Sequence, residues 1–282
     1  MEEIRDYPVT RISEIYNNHP IFGYPLVQLT GNITYSESVW LLLKGELPND
    51  RELKMLDVLL TSCLDGGGFG GGQTQVARLI ATANPDDPMA AIGGAMLAYG
   101  GVTGSPSVAA QFISDACELM KRENMSRKQA ALKVVADARN KKQRIPGLGH
   151  RWYPEGDPRG TRIRECAEVY EFVGEMTLLY DAISEELFRV VSRPMPPNVD
   201  GAFAAAGLDL GLEAKSLGPL FALGSMGALI AHVLEELAEP ESRSLRRFID
   251  NKIGWKYIGP KRRDLPVEKI CIPVVKTKLT DG

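Results

Sequence analysis

Histidine and cysteine are scarce in this chain: 282 residues contain three histidines and four cysteines. Cys63, Cys117, Cys166 and Cys271 are far apart and form no CxxC pair, which excludes a dense disulfide framework and predicts reduced thiols. His19, His150 and His232 are equally dispersed; without local ligand spacing, no metal is expected. A basic excess is missing too. With 33 Lys+Arg against 36 Asp+Glu the net charge is -3, the wrong balance for a general nucleic-acid binder. No unbroken apolar run reaches the length of a membrane span, and the opening MEEIRDYPVT is polar and acidic. Neither a transmembrane helix nor a signal peptide is expected, and the predicted location is the cytoplasm.

What the chain does contain is helical periodicity. Ser36 to Leu43 carries an apolar run closed by Gly45 and Pro48, and Asp50 opens a segment with Leu53, Leu56, Leu60 and Leu64 on one face. Further helices are predicted over about 75–82, 88–99, 107–121, 126–139, 161–191, 199–210 and 212–237, the 161–191 stretch being kinked or broken. Only the tail VEKICIPVVKTKL alternates in the manner of a strand, and Pro273 interrupts it. The class is therefore all-α, with no strand–helix alternation and no internal repeat.

Irregular segments interrupt this background. DGGGFGGG (65–72) allows close backbone approach but lacks the GK[ST] ending of a phosphate loop, and GGVTGSP (100–106) resembles it in composition. In IPGLGHRWYPEGDPR (145–159), glycines and prolines hold His150 on a constrained turn, nine residues before Arg159. His232, among apolar neighbours, reads instead as a satisfied core histidine. RPMPPNVD (193–200) ends in Asp200 at a helix start, where an aspartate is commonly an N-cap.

PGLGH followed by DPR, with a later PNVD opening a helix, resembles the citrate synthase superfamily. HPIFGYPLVQLTGNITYSESVWLLLKGELP and FALGSMGALIAHVLEE extend the resemblance over nearly the whole chain. NVDG and GLGHR are most similar to the citryl-CoA lyase and ATP-citrate lyase C-terminal branch. The resemblance implies a large domain from residues 1–105 and 211–282, with a small CoA-binding domain, 106–210, inserted between them. It also implies a homodimer or larger assembly, with a hetero-subunit as a further option, and no membrane or nucleic-acid partner.

By resemblance, Asp200 is the base that removes a proton beside a CoA thioester, and His150 polarises the carbonyl or hydroxyl of the partner substrate, a keto acid or related carbonyl compound. Such chemistry needs a desolvated carboxylate and a donor aimed at the developing alkoxide. Arg159 supplies a two-pronged cation for a substrate carboxylate. Gly147, Leu148 and Gly149, with Lys142 and Arg144 ahead of them, are placed near CoA. The thioester enters as a substrate, and no prosthetic group is implied.

Three positions depart from the family pattern. Thr103 stands where a histidine polarises the thioester, Gly66 where a second histidine lines the keto-acid site, and Ser225 where a substrate-binding arginine aligns. The arginine contributed across the dimer has Lys252, Arg246 and Arg247 as candidate replacements. Thr103, Ser225 and Gly66 are expected to leave a roomier acceptor pocket with fewer positive charges, unless the glycine loop brings in another cation such as Arg78. The expected function is a citrate-synthase-like C–C lyase or synthase. Beside it stand a retro-aldol lyase for a bulkier 3-hydroxyacyl-CoA and a non-catalytic CoA-thioester-binding paralogue.

Overall fold

A computed structural model describes residues 9–15, 18–100, 104–240 and 244–250. Thr103, Lys252, Cys271 and the alternating tail lie outside the described residues. A short hairpin, β1 (Pro20–Ile21) and β2 (Tyr24–Pro25), leads into α1 (Leu26–Leu29), α2 (Tyr35–Lys44), α3 (Asp50–Ser62), α4 (Gly72–Ala83) and α5 (Pro88–Met96). Then follow α6 (Pro106–Arg122), α7 (Arg127–Asn140), α8 (Pro158–Val169), α9 (Glu175–Val191), α10 (Val199–Asp209), α11 (Ala214–Gly224), α12 (Met226–Ala238) and α13 (Leu245–Phe248). The hairpin was not predicted; Phe22 and Gly23 form its tight turn, with φ of 46° and 85°.

Side chains that close the first turn set several helix starts. Thr34 with Glu37, Asn49 with Glu52, and Ser126 with Gln129 form reciprocal capping boxes on α2, α3 and α7. The expected break in 161–191 falls between α8 and α9, where Glu171 takes φ 58°. There Arg51 donates to the carbonyls of Tyr170 and Glu171, while Asp209 accepts N–H groups from Gly174, Met176 and Thr177 at 2.9 to 3.0 Å. The single helix expected over 212–237 is likewise two, with Ser225 ending α11 and starting α12.

A main core joins α3, α6, α8, α9, α10 and α11 through Leu56, Leu59, Ile113, Ile163, Ile183, Phe203 and Leu217. A smaller one joins α4, α5 and α12 through Ala77, Ala81, Ala91, Ala95, Leu229 and Val233. Taken as one helix, Ala214–Ala238 is long and apolar enough to cross a membrane by length and composition. Leu217, Leu220 and Phe221 on one side of the Ser225 break, and Leu229 and Val233 on the other, are packed into the two cores. The candidate residue Asp200 lies on α10, whose Gly201 to Gly207 are all buried; Phe203 meets Phe221 of α11 edge to face at 5.3 Å.

Candidate active site

Two irregular segments are zipped together by backbone bonds. Gly149 N–H donates to the Pro196 carbonyl and Asn198 N–H to that of Gly147, both at 2.9 Å, while Asn198 Nδ2 donates to the Gly149 carbonyl at 2.8 Å. Gly147 and Gly149 sit at φ +76° and +72°, a region that favours glycine. The N-cap of α10 is Asn198, whose Oδ1 accepts from Gly201 N–H at 3.1 Å. Asp200 is therefore not the cap. It lies in the first turn, where the Ser105 backbone N–H hydrogen-bonds its carboxylate.

His150 and Asp200 share a charged centre. Asp157, fully buried, grips Arg159 by two bonds, Nε to Oδ1 at 3.0 Å and Nη2 to Oδ2 at 2.9 Å, and also accepts the N–H groups of Arg159 and Val199. Burial pushes Asp157 up, but these donors outweigh it and hold the carboxyl below its ordinary value. Burial raises the Asp200 carboxyl above the ordinary value despite the Ser105 N–H and Arg159, and the charge of Asp157 adds to the rise. For His150, burial lowers the pKa, Asp157 opposes the change, and Arg159 reinforces it.

The tautomer of His150 follows from its neighbours. Trp152 N–H donates to Nδ1 at 3.0 Å, which assigns the proton of the neutral ring to Nε2. Arg159 Nη2, a donor only, lies 3.5 Å from that nitrogen, at the limit of hydrogen-bond range, so the shorter Trp152 bond decides the tautomer and the Arg159 contact is not a bond to the ring. Two N–H donors thus converge on one spot, suited to an oxygen that gathers negative charge.

Arg159 also lines a small cavity of about 30 Å³ with Cys63, Asp65, Gly66, Gln73, Thr74, Tyr99, Phe221, Ser225, Ala228 and Leu229. The structure thus brings together Arg159, Gly66 and Ser225. Among the described residues the cavity is narrow, because Tyr99 reaches in and hydrogen-bonds Ser225; Thr103 lies outside them. Arg78 does not supply a cation there. It is buried, paired with Glu236 at 2.8 Å and with Glu235, and lies over the Phe69 ring. His232 is satisfied but not a core residue, accepting from Arg78 at Nδ1 and facing Asp65 at 3.3 Å. Lys142 and Arg144 are exposed on the approach to the PGLG turn, and the Leu148 side chain is buried. Arg246 and Arg247 line a separate depression with Thr82 and Asp250.

Sequence reasoning did not single out Tyr99, Asp157 or Asn198 as functional. Asp157 and Asn198 lie inside the DPR and PNVD motifs, so their signal was present. Tyr99 has no local signal, since its partner is 126 positions away.

Residues 52–247 match the family model described as citrate synthase, C-terminal domain. The glyoxysomal citrate synthase of Cucurbita maxima is 28% identical over 87% of this chain and 48% of its own length. A peroxisomal citrate synthase of Arabidopsis thaliana is 27% identical over 79% of this chain and 46% of its own. The chain thus spans about half the length of these curated relatives. Citryl-CoA lyase from Hydrogenobacter thermophilus has a similar solved structure, with TM-score 0.81 and 31% identity over 94% of this chain and 99% of that one. ATP citrate lyase from Methanosaeta concilii shares the fold at TM-score 0.70 and 17% identity, over 92% of this chain and 43% of that one. A helical fold whose PGLGH, DPR and PNVD segments meet at one centre and whose matched region spans most of its length places this chain in the citrate synthase family.

Proposed function

We propose that the chain is a C–C lyase or synthase joining or splitting a CoA thioester and a carbonyl acid. The observation that carries this reading is the Asp157–Arg159 pair, whose charges act on both His150 and Asp200. In the forming direction Asp200 takes a proton from the carbon beside the thioester carbonyl. Its raised basicity, a consequence of burial, suits it to that step. The resulting enolate carbon attacks the acceptor carbonyl, and the oxygen that becomes an alkoxide is held by the Nε2–H of His150, with Arg159 beside it, and takes a proton from solvent. Cleavage is the reverse: the hydroxyl gives its proton to solvent, the alkoxide is held by the same Nε2–H while the C–C bond breaks, and Asp200 returns a proton to the enolate carbon. One Arg159 nitrogen, Nη1, is outside the Asp157 fork and serves the substrate carboxylate.

Residues 106–210 act in this reading as the CoA-binding domain, with Lys142 and Arg144 meeting its phosphates and the surface of the 147–149 turn lying against the thioester arm. The assembly is a homodimer. Supporting it, α5 and its C-cap expose Met89, Gly93 and Leu97, and α12 exposes Gly227, Ile230 and Leu234, one apolar stripe on each of two packed helices. Mass-spectrometric screening of purified chain against acyl-CoA and 2-oxo acid pairs tests the reaction: a condensed or cleaved product is expected. Absence of turnover across the panel, in a protein that binds CoA, would leave the non-catalytic paralogue as the better account.

A further inference from the structure

The cavity beside Arg159 has an unusual wall. Ser225 stands where the resemblance predicts a substrate-binding arginine, and the Tyr99 hydroxyl meets it. Ser225 Oγ lies 3.0 Å from the carbonyl of Ala222 and 3.2 Å from that of Phe221, both pure acceptors, so its single proton is committed to the helix backbone. The hydroxyl bond between the two side chains must then run from Tyr99 to Ser225. Both protons are consumed, and what Tyr99 Oη presents to the cavity is a lone pair.

The remaining lining carries little positive charge. Arg159 is the one cation among the described lining residues, and two of its three guanidinium nitrogens are taken by Asp157. Asp65 contributes a carboxylate, while Gln73 and Thr74 contribute a neutral amide and a hydroxyl. Cys63, Phe221, Ala228 and Leu229 are apolar or nearly so. Burial pushes the Cys63 thiol up to about 12 and raises the Tyr99 phenol, so both are neutral under physiological conditions. A volume of about 30 Å³ holds a methyl or a water or two, not a bulky group. A second carboxylate pressed against this wall would be desolvated with no second cation among the described lining residues to meet it, and would face the lone pairs of Tyr99.

We propose that Tyr99 and Ser225 are the specificity-determining residues of the acceptor pocket, and that they restrict the carbonyl partner to a short 2-oxo acid with a single carboxylate. The inference deepens the reaction proposed above and rests on it for the identity of the partner as a 2-oxo acid. Arg159 holds the one carboxylate, and a hydrogen or methyl on the far side of the carbonyl fits against Tyr99. A dicarboxylate of oxaloacetate type is excluded by charge as well as by size.

Calorimetry on the full chain saturated with CoA, titrated separately with pyruvate, glyoxylate and oxaloacetate, tests the inference without requiring turnover. Pyruvate or glyoxylate is expected to bind at least about tenfold more tightly than oxaloacetate, the low end of what one extra group that does not fit a pocket is worth. In the double variant Tyr99→Ala, Ser225→Arg, which opens the wall and adds a cation, the order is expected to reverse. Equal or tighter oxaloacetate binding by the unmodified chain overturns the inference, as does binding of none of the three. So does an unchanged order in a folded double variant. If the double variant does not fold, the order in the unmodified chain decides alone. Product from oxaloacetate but from neither monocarboxylate in the mass-spectrometric screen would sink this inference and leave the reaction standing. The expected binding order without product from any pair would do the opposite.

Discussion

Gly147 and Gly201 meet backbone to backbone: a Cβ at position 147 would lie 2.6 Å from the Cα of Gly201 and 2.7 Å from the Tyr180 hydroxyl. That hydroxyl donates to the Pro146 carbonyl, so one fully buried tyrosine fixes the turn carrying His150 against the helix carrying Asp200. Replacing Gly201 with alanine must therefore push the two segments apart. We expect Gly201→Ala to lower kcat/KM by at least tenfold and to cost about 1 to 3 kcal/mol of stability, the usual range for overpacking. Steady-state kinetics beside a urea titration check this, and near-native values of both would show that the close contact is dispensable.

Acid should switch the reaction off earlier than an ordinary aspartate would. Turnover needs Asp200 ionised and His150 neutral in the forming direction, and both conditions fail as protons are added. Burial raises Asp200 from 3.8, so it protonates earlier than an ordinary aspartate, but burial also lowers His150 from 6.5, so the ring stays neutral below that value. The acid limb of kcat/KM is predicted to have its midpoint above 3.8, the ordinary aspartate value, because Asp200 must be ionised. A midpoint at or below 3.8, measured on the free enzyme, would contradict the assignment.

Asp209 provides a contrast in which stability changes and chemistry does not. Its carboxylate satisfies three N–H groups at the start of α9, at the far end of α10 from Asp200. Loss of such an acceptor costs about 0.5 to 2 kcal/mol per helix start. Asp209→Ala should lower the unfolding midpoint by an amount in that range while kcat stays within about twofold at a temperature where the variant is folded. A large fall in kcat of the folded variant would mean that α9 has a part in the reaction.

Much of the fold was legible in the sequence because local chemistry marks helix ends. Thr34 with Glu37 and Ser126 with Gln129 announce their helices within four residues, and Gly45 closes α2 in the left-handed conformation. His150 and Asp200, the pair proposed for catalysis, were singled out for a different reason: they sit in short motifs with glycine and proline on either side. Long-range contacts left no such trace. The Tyr99–Ser225 bond depends on how α11 is set against the residues after α5, and Arg78 pairs with Glu236 across 158 positions. The expected break in 161–191 escaped exact placement and the one at Ser225 was not expected, since the first depends on Arg51 and Asp209 reaching in from elsewhere and the second falls inside a continuous apolar pattern.

The central claim is that Asp200 moves a proton at the carbon beside the thioester carbonyl. Proton NMR of acetyl-CoA incubated in deuterated water with the full chain reads that step directly, with pyruvate present to close the site. The unmodified chain should wash out the acetyl methyl signal. Asp200→Asn, which keeps the shape and removes the base, should slow exchange by about 10² to 10⁴-fold, the usual contribution of a positioned general base. Because a buried carboxylate with a raised pKa is a burden in its ionised form, the variant should be no less stable than the parent at pH 7. Exchange at the parental rate in a folded Asp200→Asn protein would contradict the account.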